Sequence, residues 1–365
     1  MGNRVIGVGL FEVILLKIIR SVKICFAIGF LLLLLSSGSA GARRITVGSD
    51  GNKDFPSIQE AVNAAEAGDT VYVYNGLYTE NIYLDKEISV RSISGKPEKN
   101  IVTAKNPHDH VFHVIANNVT ISGFSINGAN DTQKAGIYLE DTHGIMISNN
   151  NLSSNRLGIY LESSATNMLN LNDVSGNEVG IFLKFSKDNW VINNRVKMNS
   201  LDGILLEASD ENRVIGNLLH YNTEYGFMLS NSSRNLIYNN FFQNTVNIGY
   251  EGINSENTWN ITRERGINIA GGSYIGGNYW TDPQSTAMCV IEDLDDDGFC
   301  DASYDLGEGN IDYMPLILRP PLFQNNERSL TVSLLGFALF VFALGIFIIK
   351  RVMGWGGSDF YEDNK

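Results

Sequence analysis

Hydrophobic and polar positions repeat along the middle of the chain at intervals of 22 or 23 residues. Each repeat opens with a glycine-led pentad whose second and fourth residues are apolar. The pentads are Gly136-Ile-Tyr-Leu-Glu, Gly158-Ile-Tyr-Leu-Glu, Gly180-Ile-Phe-Leu-Lys, Gly203-Ile-Leu-Leu-Glu and Gly226-Phe-Met-Leu-Ser. Alternation with period two predicts a short strand with one face turned inward. A repeat of this length is typical of stacked-coil architectures.

Further apolar and polar positions recur between the pentads. A second short strand is predicted around the apolar residues Ile147, Leu169, Val191, Val214 and Ile237. Fourteen residues after each glycine stand Asn150, Asn172, Asn194, Asn217 and Asn240, and nineteen residues after a glycine stand Asn155, Asn177, Asn199 and Asn222. We expect these asparagines at corners, because Asn tolerates the left-handed backbone region and can bond its equivalents in adjacent coils. The glycines would permit a positive φ at a corner.

No segment of the array is long or periodic enough for a helix, which excludes helical solenoids. The prediction is an all-β fold, a single-stranded parallel β-helix. Residues 56–67 have the apolar spacing of a short amphipathic helix, which would cap the open end of the stack. The coil at 110–126 lacks the glycine corner, and residues 127–135 form an insertion expected to bulge from the stack. After Asn244 the period fades.

Two apolar segments flank the array. Residues 1–42 have the features of an export signal, with basic residues before an apolar run and an Ala-Gly-Ala cleavage-like site. An uncleaved N-terminal anchor is the alternative. Residues 330–349 form an apolar stretch long enough to cross a bilayer, and the Lys-Arg pair after it places the tail in the cytoplasm and the array outside. The predicted division is signal 1–42, β-helix 43–280, C-terminal cap 281–318, linker 319–329, transmembrane helix 330–349 and tail 350–365.

Charge and cysteine content narrow the choice of partners and compartment. The net charge of −13 argues against nucleic acid as a partner, because phosphate binding needs a basic surface. An acidic balance suits a surface protein or one that holds cations. Cys25 lies in the signal, which leaves Cys289 and Cys300 to form a disulfide in an oxidising compartment. Sequons that would permit N-glycosylation stand at Asn118, Asn130, Asn151, Asn231 and Asn260.

The segment before the array resembles a known family. The similar stretches are Phe55-Pro-Ser-Ile-Gln-Glu-Ala-Val, Gly68-Asp-Thr-Val-Tyr-Val and Gly76-Leu-Tyr-Thr-Glu-Asn-Ile, with the Gly-Ile-Tyr-Leu coils behind them. They resemble the NosD family, which includes periplasmic copper-associated factors and archaeal surface proteins. The resemblance covers about residues 45–318 and implies a right-handed, pectin-lyase-like β-helix. It is specific for fold and poor for function, because this fold carries lyases, hydrolases, epimerases and pure binders.

The sharpest candidate for an ion site is an acidic loop, Asp293-Leu-Asp295-Asp-Asp297-Gly298-Phe-Cys300-Asp301. Carboxylates at positions 1, 3, 5 and 9, with glycine at 6, resemble the start of a Ca²⁺ loop with oxygen ligands. The carbonyl of Phe299 would add a further oxygen. Position 12 is Tyr304 instead of the Glu of an EF-hand, so the loop is more similar to dockerin or thrombospondin-repeat loops. We expect a structural Ca²⁺ here; a solvated acidic turn is the alternative.

The outer face of the pentads is the candidate glycan-binding surface. It stacks Tyr138, Tyr160, Phe182, Leu205 and Met228, beside Glu140, Glu162, Lys184, Glu207 and Ser230. Coils rise by about 4.8 Å, so rings and carboxylates would form parallel ladders suited to a sugar chain. The residues predicted to bind glycan are Tyr138, Tyr160, Phe182, Glu140, Glu162 and Glu207. The alternative is that the rings pack on one another or under the insertion.

Three histidines, His108, His110 and His113, invite a copper or zinc interpretation. The coil alignment turns His113 inward and leaves the other two in the preceding turn, which argues against convergence. Asn106-Pro-His-Asp faintly resembles a motif of alginate epimerases but lacks its leading Asp. The signatures of polygalacturonases and pectate lyases are missing, so no catalytic residue is predicted.

These features predict a membrane-anchored extracellular β-helix protein that binds cell-surface polysaccharide or an envelope protein, with structural Ca²⁺. The first alternative is a polysaccharide-processing enzyme (lyase, hydrolase or epimerase), which carboxylates in a groove near the aromatic ladder would favour. The second alternative is a copper-handling accessory protein, which convergent histidines would favour. A flat aromatic strip with neither feature would favour binding.

Overall fold

The computed structural model describes residues 42–318, apart from 285, 287, 288 and 290–292. Over these residues the chain forms a right-handed parallel β-helix, as predicted. The export signal up to residue 41, the linker, the transmembrane helix and the tail lie outside the described residues. Within the described ranges, every helix is too short or too polar to cross a membrane.

A complete coil contributes one strand to each of three parallel sheets, which have eight, nine and nine strands. The first sheet, which holds the pentads, consists of Ile82–Leu84, Phe112–Val114, Ala135–Glu140, Leu157–Glu162, Val179–Lys184, Ile204–Glu207, Phe227–Ser230 and Ile248–Glu251. The second sheet consists of Arg44–Val47, Thr70–Val73, Ser89–Ser92, Thr120–Ser122, Met146–Ser148, Met168–Asn170, Trp190–Ile192, Arg213–Ile215 and Leu236–Tyr238. The third sheet consists of Gly76–Thr79, Asn100–Thr103, Ser125–Asn127, Asn151–Ser153, Asp173–Ser175, Arg195–Lys197, Leu218–His220, Phe241–Gln243 and Tyr279–Thr281.

The core is a column of apolar side chains inside these three sheets. The second and fourth pentad residues, such as Ile159 and Leu161, are fully buried. The predicted second strand is present, with residues such as Val191 inside. The third strand of each coil was not predicted from the sequence, although its inward residue, such as Val174 or Val196, is also fully buried.

Asparagine ladders close all three corners of the coil. Asn194 shows the pattern: its main-chain N–H and its Nδ2 both donate to Oδ1 of Asn217, at 2.9 and 3.1 Å, and Nδ2 also donates to the carbonyl of Leu169. The two predicted ladders are confirmed. A third ladder, at the corner between the first and second sheets, was missed: Asn167, Asn189, Asn212, Asn235 and Asn257. The ladders satisfy buried backbone groups that the turns leave unpaired.

Two details of the predicted corners were wrong. The left-handed residue is the one before the ladder asparagine, as at Leu171 (φ 58°) and Asn193 (φ 54°). The pentad glycines have no positive φ. A Cβ at Gly180 would lie 2.5 Å from the carbonyl oxygen of Gly203 and 2.8 Å from Nδ2 of Asn199. Glycine is therefore needed because the strand passes close to the ladder and the next coil.

The two ends of the stack are capped. Helix α1 (Ile58–Ala64) covers the N-terminal end, as predicted, and Glu80 accepts hydrogen bonds from the N–H groups of Ile58 and Gln59. A 3₁₀ turn (Pro97–Lys99) precedes a third-sheet strand. At the far end lie two hairpins, Glu264–Arg265 with Tyr274–Ile275 and Tyr304–Gly307 with Asn310–Asp312. The predicted disulfide joins Cys289 to Cys300.

Candidate functional site

An outward-facing column of side chains runs along the first sheet. Parallel pairing places Tyr83, His113, Tyr138, Tyr160, Phe182, Leu205 and Met228 in one register. The rings of Tyr138, Tyr160 and Phe182 stack with centroids 4.9 Å apart. Their exposed fractions are only 3–8 %, because Ala135, Leu157 and Val179 pack beside them. The rings thus pack on one another and leave little ring surface for a ligand. We call this arrangement the closed ring stack; it is the alternative to the predicted glycan-binding surface.

His113 faces outward, so the predicted inward orientation was wrong. It pairs with Tyr138 across the strands, while its neighbours Phe112 and Val114 are fully buried. In this coil Phe112, and not Val111, pairs with the apolar second pentad residue Ile137, and a shift of one residue reverses the face of a side chain. Nε2 of His113 lies 2.7 Å from a carboxylate oxygen of Glu140.

The insertion loop and this end of the column enclose a cavity of about 340 Å³, which we call the His–Tyr cleft. Its lining consists of Asp109, His110, His113, Thr132, Gln133, Lys134, Tyr138, Glu140, Tyr160 and Glu162. The cleft therefore brings together residues from two separate predictions. One is the histidine cluster; the other is the aromatic ladder with the acidic ladder beside it (Glu140, Glu162 and Glu207). The histidines and the ladder residues meet because their coils are adjacent in the stack and because the insertion loop lies over both.

His110 is buried in the wall of the cleft and stacks on the Tyr138 ring at 4.2 Å. Its Nδ1 accepts a hydrogen bond from the N–H of Ala135, and its Nε2 lies 3.3 Å from Nζ of Lys134. Burial and, secondarily, the charge of Lys134 lower the pKa of His110 to about 3. This imidazole is neutral at physiological pH, and its Nε2 lies beside the Lys134 ammonium.

Tyr138 and Glu162 form the most direct contact between the ring stack and the acidic ladder. The Tyr138 hydroxyl donates to a carboxylate oxygen of Glu162 at 2.6 Å. Burial, with Glu162 adding to it, raises the pKa of Tyr138. The next positions of the acidic ladder are joined by an ion pair between Lys184 and Glu207 at 3.0 Å. The cleft consequently presents fixed hydroxyl, carboxylate, imidazole and ammonium groups at one place.

The three histidines do not converge on one point. His110 and His113 are neighbours, with ring centroids 5.4 Å apart. His108 is exposed, and its Nδ1 lies 3.0 Å from Asp131 in the insertion loop. With Nδ1 of His110 bonded to a backbone N–H and a lysine at its other nitrogen, these residues do not fit a preformed copper site.

A second cavity on the same face, of about 670 Å³, was not predicted; we call it the acidic cavity. Its lining consists of Phe185, Asp202, Leu205, Glu207, Ala208, Glu224, Tyr225, Met228, Ser230, Asn231 and Glu251. One position of the repeat indicates this cavity in the sequence. The position before the pentad glycine is apolar in the first three repeats, at Ala135, Leu157 and Val179, but acidic in the fourth, at Asp202.

The acidic loop of the C-terminal cap brings three of its predicted ligands together. One carboxylate oxygen from each of Asp293, Asp295 and Asp297 lies within 4.8 Å of the others, the sole such group that the described residues contain. Gly298 has the tight-turn φ of +96°.

The other two predicted ligands are tied to the backbone of the cap. Oδ2 of Asp301 accepts the N–H of Leu294, which closes the loop, and Phe299 bridges to Leu316. Arg263 pairs with Asp297 at 2.9 Å, so one cation is already beside the group.

Part of the chain is similar in sequence to a cell-surface protein. A cell surface glycoprotein of Methanothermus fervidus is 33% identical over 126 residues, which are 34% of this chain and 20% of the relative. The chain thus spans about a fifth of that protein's length.

Solved structures share the fold at low identity. The periplasmic alginate epimerase AlgG is similar with a TM-score of 0.40 and 18% identity, over 51% of this chain and 49% of that one. Pectate lyase Pel9A gives 0.42 and 14%, over 60% and 80%. The catalytic domain of a GH87 α-1,3-glucanase variant with tetrasaccharides gives 0.49 and 15%, over 67% and 51%. At these values none bears on the function of this chain.

The family model described as "Periplasmic copper-binding protein (NosD)" matches residues 62–285, more than half of the chain. The match spans the array and both cavities on the first sheet. The predicted resemblance to this family is thereby confirmed, and the chain belongs to the NosD family.

Proposed function

We propose that this β-helix lies outside the cytoplasmic membrane, on the cell surface, and binds a glycan or other envelope polysaccharide through its first sheet. The relative named a cell surface glycoprotein and the disulfide between Cys289 and Cys300 support the location. The single observation that carries the binding function is the His–Tyr cleft, where polar groups converge beside a closed ring stack.

The chemistry of the cleft suits a polyhydroxylated ligand. Glu140 and Glu162 accept hydrogen bonds from hydroxyl groups, while Lys134 donates. The closed stack below holds these groups in fixed positions, so little side-chain entropy is lost on binding.

Calorimetric titration of the full chain with neutral and acidic oligosaccharides tests this proposal. We expect saturable binding, weakened about tenfold or more by Glu162→Gln, because a charge-assisted hydrogen bond is lost. Glu98→Gln, at an exposed site on the 3₁₀ turn, is the matched control and should leave binding unchanged. Heat from no oligosaccharide would refute the proposal.

Product formation should be followed in the same samples. Binding without product supports a binding protein. Release of product would instead make the polysaccharide-processing enzyme correct, with Glu140 and Glu162 as the first residues to test.

We also propose a structural Ca²⁺ in the acidic loop, held by Asp293, Asp295 and Asp297. Their converging oxygens and the φ of Gly298 support it. The test is thermal unfolding with Ca²⁺ or with chelator. We expect Ca²⁺ to raise the midpoint for the wild type and not for Asp295→Asn; equal midpoints with Ca²⁺ and with chelator would leave a solvated acidic turn, with Arg263 as its cation.

Copper handling is the second candidate, supported by the description of the family model and by the adjacency of His110 and His113. The hydrogen bond at Nδ1 of His110 and the outward turn of His108 argue against it. Titration with Cu⁺ and Cu²⁺ decides the matter. Stoichiometric binding lost in His113→Gln would favour copper over glycan.

A further inference from the structure

The acidic cavity has an unusual charge balance. It is lined by four carboxylates, those of Asp202, Glu207, Glu224 and Glu251, and the lining contains no Lys, Arg or His. Lys184, one coil away, pairs with Glu207 and leaves the other three without a cation among the ion pairs of the described residues. Such a cavity has a strong negative potential and selects a positively charged group.

Asp202 is the distinctive member of this set. Its exposed fraction is 8 %, and its Oδ1 is buried with no hydrogen-bond partner among the described residues. A buried carboxylate oxygen without a donor costs free energy. The groups facing it are the Glu224 carboxylate, which repels it, and the backbone of Tyr225, which favours its charged form. Asp202 therefore lines the cavity without a cationic donor among the ion pairs of the described residues.

A metal ion is a poor candidate for the cation that the acidic cavity would bind. A divalent cation needs several oxygens around one point, and the described residues bring three such atoms within 4.8 Å of one another only in the C-terminal loop. An ammonium group needs fewer partners, because it donates three hydrogen bonds in separate directions. The apolar surfaces of Leu205, Tyr225 and Met228 beside the carboxylates suit a ligand that carries its charge on a compact ring.

The acidic cavity lies on the same column as the His–Tyr cleft. Leu205 follows Tyr160 by two coils in strict register, so the two cavities are about 10 Å apart along the sheet. One extended oligosaccharide can contact both. A ring-borne amine is favoured over a peptide lysine because a lysine stem would lose more conformational entropy on binding.

We propose that the acidic cavity binds the free ammonium group of an amino sugar, and that the polysaccharide recognised by this face carries unacetylated amines. Asp202 accepts a hydrogen bond from the ammonium, and Glu224 supplies the second charge. This inference rests on the proposed glycan-binding function and adds the chemical class of the ligand.

The test compares two tetrasaccharides of one linkage, glucosamine tetramer and its fully N-acetylated counterpart, by calorimetry with the full chain at neutral pH. We expect the wild type to prefer the free amine at least tenfold, because acetylation removes the charge. Asp202→Asn should abolish most of that preference. Asn has nearly the same shape as Asp and keeps an oxygen acceptor, so the fold is retained, and unfolding midpoints verify this.

Glu224→Gln should weaken the preference less, because that side chain is exposed. Asp85→Asn, an exposed carboxylate near the N-terminal cap, is the charge-matched control and should change nothing.

Each outcome separates the inference from the function on which it rests. Equal affinity for both tetramers, unaffected by Asp202→Asn, overturns the amine inference and leaves glycan binding intact. Binding of the amine alone, unaffected by Glu162→Gln, upholds the acidic cavity and refutes the role of the His–Tyr cleft. Failure of both tetramers overturns the amine inference, and the titration with neutral and acidic oligosaccharides then decides separately whether glycan is bound. Binding of a lysine-rich peptide in their place, lost in Asp202→Asn, would show that the occupant is protein.

Discussion

The asparagine ladders inside the corners and the aromatic column outside the first sheet are both stacks of like residues along one axis. They differ in what happens when the repeat is broken. The ladders continue without interruption, and each asparagine donates to the next, as Asn172 does to Asn194 and Asn194 does to Asn217. The column is aromatic over only three pentads and changes at both ends, and a cavity opens at each change.

The physical reason is the cost of a break. A missing ladder asparagine leaves buried donors without acceptors, which costs free energy at every neighbouring coil. A missing ring on the outer face exposes a depression that water can fill. The outer face therefore tolerates variation and supplies the sites, while the corners maintain the coil.

The largest expected effect is at a corner. Replacing Asn194 by Leu should lower the free energy of unfolding by about 3–5 kcal/mol, because the N–H and Nδ2 of Asn172 lose their acceptor. Denaturant unfolding measures this. Asn170→Leu, on the outer face of the second sheet, is the control and should cost less than about 1 kcal/mol. Equal losses at the two sites would contradict the distinction between corner and face.

Substitution in the ring stack should cause the second-largest loss of stability. Tyr160→Ala removes a ring that is stacked on both sides and 3 % exposed, and we expect a loss of about 2–3 kcal/mol. Tyr83→Ala removes a half-exposed ring at the end of the column and should cost about 1 kcal/mol. The comparison would fail if the end ring mattered as much as the central one.

Substitution of Asp202 should raise the free energy of unfolding, whereas the substitutions above lower it. Burial and the charge of Glu224 raise its pKa from 3.8 to about 6 in the folded protein. The folded state then holds the proton between about pH 4 and 6 while the unfolded state does not, so the wild type loses stability as pH rises through this window. Asp202→Asn should be more stable than wild type by about 2–3 kcal/mol at pH 7 and nearly equal to it near pH 4. A pH-independent difference would argue against the raised pKa.

The smallest effect concerns the contact between stack and acidic ladder. Tyr138→Phe removes the hydroxyl that donates to Glu162 and should cost about 1 kcal/mol. In a double-mutant cycle with Glu162→Gln the two losses should be less than additive. Full additivity would mean that water replaces the hydroxyl without cost, and that the cleft is less ordered than its geometry indicates.

Sequence reasoning identified the fold because period and alternation are local properties. Each pentad contains its own strand signal, and five copies at a fixed spacing require stacking. The third strand escaped because one apolar residue between polar neighbours, such as Val174, has no alternation to reveal it. The role of the pentad glycines escaped because close approach to another coil is not visible within one repeat.

The candidate site was predicted in parts and assembled only by the structure. The aromatic ladder and the histidines were each found from the sequence, yet the register error at His113 hid that they adjoin. Asp202 was visible as a departure from the apolar residues at its repeat position, but its burial depends on coils above and below.

The sequence by itself determined a parallel β-helix, its asparagine corners, its capping helix and its acidic loop, because these follow from spacing along the chain. Only the tertiary structure decided that the aromatic ladder is closed, that His113 faces outward, and that an insertion roofs one cavity while Asp202 lies in another. Burial and the convergence of side chains depend on residues one or more coils away. Those distances are set by how coils stack, which no single repeat encodes.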